Sequence, residues 1–94
     1  MIGGNTTMED IRIVTSRKGL RFMIQQYQNY VYIGLENYTP SWVGQVHVYE
    51  AVKHLGLENN GKFFVLGGVN SIVFKMGNHS ISEIEDALKS YTKY

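Results

Sequence analysis

The feature that most constrains this chain is a stretch of alternating residues from Asp10 to Glu36, broken twice by turn chemistry. Ile11 and Ile13 alternate with Arg12 and Val14 from Asp10 to Thr15. Leu20, Phe22 and Ile24 share one side from Leu20 to Tyr27, and Val31, Ile33 and Leu35 lie opposite Tyr30 and Tyr32 from Tyr30 to Glu36. A period of two with β-branched and aromatic content marks strands half-buried against a core. Ser16-Arg17-Lys18-Gly19 and Gln28-Asn29 are too short for anything but sequential antiparallel pairing, with Gly19 and Asn29 the residues that tolerate positive φ. A three-strand meander is predicted. Its core face is expected to carry Ile11, Ile13, Leu20, Phe22, Ile24, Val31, Ile33 and Leu35.

After the meander, Thr39 and Pro40 have the order of a helix N-cap and first helical residue. The following segment satisfies two patterns. Val46 and Val48 alternate with Gln45 and His47 as in a strand, whereas Val48, Ala51, Val52 and Leu55 recur as a helical stripe with Gly56 placed to end it. The stripe and its stop predict a helix from Trp42 to Leu55, its first turns being the place where a strand competes. Leu57 to Gly61 is predicted to be a loop, and Lys62–Leu66 and Ser71–Met76 two strands around Gly67-Gly68-Val69-Asn70. Ser80 and Glu83 have the spacing of a capping box, and Ile81, Ile84, Leu88 and Tyr91 form the apolar stripe of a last helix. The expected fold class is α+β: an antiparallel β-sheet, made of an N-terminal three-strand meander and a C-terminal hairpin, with two helices on one face in the order β-β-β-α-β-β-α.

Composition bounds what such a domain does. Ninety-four residues suit one domain, read as residues 9–94 behind a flexible lead-in of residues 1–8. The chain has no cysteine, so it forms neither a disulfide nor a thiolate metal site. With no basic-apolar leader and no apolar run of the roughly 20 residues that span a bilayer, no membrane association is expected and the location is read as cytoplasmic. A net charge of +1 lacks the basic excess of a dedicated duplex binder and the acidic surface of a nucleic-acid mimic.

The sheet face opposite the predicted core is the strongest candidate site. It is expected to present Arg12, Val14, Arg21, Met23, Gln25, Tyr27, Tyr30 and Tyr32. Tyrosine, arginine and methionine are the side chains enriched in protein interfaces, including those between like subunits. Aromatics interleaved with arginine also resemble a platform on which single-stranded nucleic acid stacks. Tyrosine is in addition a good strand former that keeps its hydroxyl in water. Arg17 and Lys18 at a hairpin tip would meet phosphate or an acidic partner, or simply solvent.

The remaining candidates are weaker. His47, Glu50 and His54 share one helix side, but the two histidines are about 10 Å apart along the axis, so a solvated surface is the better reading than a metal site. His79 titrates near neutrality yet has no carboxylate at motif spacing. Gly67-Gly68-Val69-Asn70 lacks the following helix that a phosphate loop needs, and Gly77-Asn78-His79-Ser80 lacks the lysine and the further glycines. Trp42 is expected to close one end of the core. The expected protein is a non-enzymatic interaction module without cofactor, docking on a protein partner or pairing as a homodimer, with single-stranded nucleic acid as the alternative. Small inhibitors and antagonists encoded by viruses or mobile elements have this character.

Overall fold

The computed structural model describes residues 11–36, 41–66 and 68–93, with the backbone alone at 41 and 60–66. The expected lead-in at 1–8 and the Thr39-Pro40 cap lie outside the described residues. The order is β1 (Arg12–Thr15), β2 (Arg21–Tyr27), β3 (Tyr30–Leu35), α1 (Ser41–Val52) continued by a 3-10 turn (Lys53–Leu55), β4 (Glu58–Leu66), β5 (Val69–Lys75) and α2 (Ile81–Lys89). All neighbours in the sheet are antiparallel, in the order β1-β2-β3-β5-β4. The α+β architecture read from the sequence is the one observed.

This strand order explains why the ambiguous segment is a helix. β3 and β4 both run antiparallel to β5 and hence parallel to each other, with β5 between them. Parallel strands need a long crossover, and a helix laid over the sheet supplies it while covering the core. Val48, Ala51 and Val52 are buried on its inner side, and Gly56 at φ 65° ends the 3-10 turn with its N–H donating to the Lys53 carbonyl. α2 starts where expected: the Glu83 N–H donates to Ser80 Oγ at 3.2 Å, and the Ser80 N–H to Glu83 Oε1 at 2.9 Å. Ile84 and Leu88 of α2 are wholly buried, and Tyr91 just beyond it packs edge-on against Phe22, centroids 5.9 Å apart. The core is one cluster: Phe22, Ile24, Val31, Ile33, Leu35, Ile72 and Phe74 from the sheet, met by Val48, Val52, Ile84 and Leu88 from the helices.

Four expectations are corrected. The face of β1 is inverted: Arg12 pairs with Ile24 and Val14 with Phe22, so both lie on the helix side, Val14 buried, while Ile13 (and Ile11 just before the strand) is on the outer side and exposed. An edge strand with an apolar residue on each face, Ile13 on one and Val14 on the other, is oriented by its neighbours, and here Arg12 reaches Glu85 of α2 at 2.6 Å. The left-handed residue of the β2–β3 turn is Gln28, at φ 54°, and not Asn29. The predicted loop at 57–61 belongs largely to β4, where residues 60–62 lie opposite Val73 alone in a bulge that absorbs the Asn-Asn-Gly chemistry. Trp42 does not close the core; its relative exposure is 64%.

Candidate functional site

The outer sheet face is built in rows across the strands. One row places Ile13, Met23, Gly34 and Ser71 side by side; the next places Gln25, Tyr32 and Val73; the third places Tyr27, Tyr30, Lys75 and Glu58. Tyr27, Tyr30 and Tyr32 are half-buried, as is Gln25, whereas Met23 and Val73 are buried at 8% and 6% exposure despite facing away from the helices. The face therefore has a packed apolar floor of Met23 and Val73 inside a rim of tyrosines, with the exposed Ile11 and Ile13 at the β1 edge. Gly34 makes that floor dense: a Cβ there would come within 2.7 Å of Ser71 Oγ and 2.8 Å of Val69 Cγ1.

The cations expected on this face are placed differently. Arg12 lies on the helix side, bound to Glu85. Arg21 is on the outer side, with its Nε 2.5 Å from Glu36 Oε1. Lys75, which the sequence reading did not single out, stands 3.7 Å from Glu58 beside the tyrosine row. Arg17 and Lys18 are exposed in the β1–β2 turn, at the opposite end of β2 from Tyr27, about 20 Å away along a seven-residue strand. Aromatic and apolar groups are brought together; an unneutralised basic track beside them is not.

His47 packs between elements and His79 sits beside a helix cap. His47 is half-buried, its Nδ1 2.6 Å from the Tyr91 hydroxyl with the rings edge-to-face at 5.6 Å, which ties α1 to the chain leaving α2 and corrects the fully solvated placement expected for it. Glu50 lies 3.5 Å from Lys53 and 3.7 Å from Lys93, and His54 is exposed. Among the described residues no three His, Asp or Glu side chains converge as metal ligands. His79 Nδ1 lies 3.4 Å from Glu83 Oε2. The Ser80 backbone N–H, with His79 next, holds the Glu83 carboxyl below its ordinary pKa.

Three features were missed by the sequence reading. Val73 and Lys75 complete the outer face, and only the pairing of β5 with β3 could place them there. Trp42, Val46 and Tyr49, all exposed, recur four and three residues apart on the side of α1 away from α2. A hollow of about 210 Å³ beside Tyr49, lined by Val52, Leu57, Asn59 and Phe74, separates α1 from the start of β4. Among the described residues no helix is long and apolar enough to cross a membrane. The chain matches no family model, no curated protein and no solved structure, so the meaning of the site rests on its own geometry.

Proposed function

We propose that this protein is a non-enzymatic interaction module whose outer sheet face docks on a protein partner, in the manner of a small inhibitor or antagonist. The observation that carries the reading is the composition of that face: a floor of Met23 and Val73 rimmed by Tyr27, Tyr30 and Tyr32, with exposed Ile11 and Ile13 beside it. Tyrosine gives broad contact area at low rotamer cost and carries a polar tip that tolerates water until the partner arrives. The ion pairs Arg21–Glu36 and Lys75–Glu58 make the charged rim close to neutral, which suits a protein surface better than a phosphate backbone. Single-stranded nucleic acid is the weaker reading for the same reason. The absence of cysteine fits a reducing compartment such as the cytoplasm.

The experiment compares the wild type with a variant carrying Ile13→Asp and Tyr30→Ser, each side chain being at least partly exposed. The variant is expected to keep its fold by circular dichroism and to lose its partner in affinity capture from the cells that make the protein. Oligonucleotide binding at low salt that falls steeply as salt rises would favour the nucleic-acid reading instead.

A further inference from the structure

We infer that a second copy of this chain pairs along β4, extending the sheet across a two-fold axis, with the Trp42-Val46-Tyr49 stripe of α1 packing on its own symmetry mate. The inference is independent of the outer-face reading, since it uses the other layer of the molecule and the opposite edge of the sheet.

Two observations converge on this edge. Among the described residues β4 pairs only with β5 and is an edge of the sheet, the position at which a further strand can add. Past the bulge and Lys62, which guard the first half of this edge, the segment Phe63-Phe64-Val65-Leu66 has no charge and no proline. α1 lies over β3 and β5 beside this edge and is apolar on two sides: Val48, Ala51 and Val52 face the core, and Trp42, Val46 and Tyr49 face outward at 64%, 48% and 37% exposure. A helix of that kind ordinarily has apolar contacts on both sides. Its exposed stripe points away from α2 and toward β4, as Tyr49 shows: its ring lies edge-on to Phe74 of β5 at 5.7 Å, and its hydroxyl accepts a hydrogen bond from Asn59 of β4.

Geometry selects a second copy over a foreign strand. A lone peptide added to β4 would satisfy the edge but leave the helix stripe in water. An occupant that covers both must bring a strand and, on the same side of the sheet, a helix with an apolar outer stripe, and a second copy of this chain brings both. Antiparallel pairing of β4 with itself is isologous, so one two-fold axis seats both contacts at once. Residues 41–49 carry no charged side chain and the net charge is +1, so two copies meet there without like-charge repulsion.

Sedimentation of the purified full chain over a dilution series tests this, alongside hydrogen exchange of the Phe63 and Val65 amides. Those amides belong to the edge-facing set if Leu66 and Val69 flank the hairpin turn as a hydrogen-bonded pair. The expected result is a concentration-dependent dimer in which the two amides gain protection as the dimer fills. Val46→Glu, at a half-exposed position that leaves the core untouched, is expected to raise the dissociation constant about tenfold or more while the melting temperature of the monomer holds. A wild type that sediments as a monomer at every concentration overturns the inference. So does a dimer that Val46→Glu leaves unchanged, or one in which neither amide is protected. The outer-face double variant, Ile13→Asp with Tyr30→Ser, should dimerise like the wild type, so failure of one proposal is separable from failure of the other.

Discussion

At the scale of single residues, backbone conformation sets costs that the residue types do not fully meet. Gln28 occupies φ 54°, where an L side chain costs roughly 1–2 kcal/mol and glycine costs little sterically. Glycine returns part of that gain as unfolded-state entropy, so Gln28→Gly should stabilise by about 0.5–1 kcal/mol, read as a rise of several degrees in melting temperature. Gly34 is the converse case. A Cβ there would press on Ser71 Oγ, Val69 Cγ1 and, at 3.1 Å, the Asn70 carbonyl, so Gly34→Ala should destabilise by about 1–3 kcal/mol in urea melts. Glu83 adds a pH dependence. Its folded pKa is depressed, so its contribution is present above the ordinary carboxylate range and is lost as pH falls through the lower folded value. Glu83→Gln should therefore be less stable than the wild type at neutral pH, with the gap between the two melting temperatures closing in acid. A gap that stays constant with pH would refute the charge-dependent part of the cap.

At the scale of elements, what was legible in the sequence followed from strong local patterns. β2, β3 and α2 carry alternation or a capping box that no neighbour had reason to override. α1 was legible only in its second half, because Val46 and Val48 alternate with Gln45 and His47 as a strand would and the helical state there is imposed by the crossover from β3 to β4. The start of β4 was not legible: Asn59-Asn60-Gly61 carries turn chemistry, and a bulge places those residues inside a ladder. The site was legible in part for a related reason. Alternation says which residues share a face but not which face meets the core, so Arg21, Met23, Gln25, Tyr27, Tyr30 and Tyr32 fell on the outer side as a set while Arg12 did not. Arg12 instead ties the β1 edge to α2 through Glu85, with its own side chain 53% exposed. Arg12→Ala should cost less than about 1 kcal/mol in stability and, if the outer face is the docking surface, leave partner capture intact.

At the scale of the whole molecule, two helices cover one side of a five-stranded sheet and leave the other side as an aromatic surface over a packed apolar floor. On the proposed reading, a partner gains most from contact at that surface, since Ile11 and Ile13 are exposed and Arg21 and Lys75 are paired with Glu36 and Glu58. The most direct measurement of this is quantitative affinity capture from the source cells, with wild-type protein and the Ile13→Asp, Tyr30→Ser variant as baits at equal folded concentration. The expected result is a protein partner whose recovery falls about tenfold or more with the variant and is unaffected by nuclease treatment. Equal recovery by both baits, or recovery that nuclease abolishes, would contradict it.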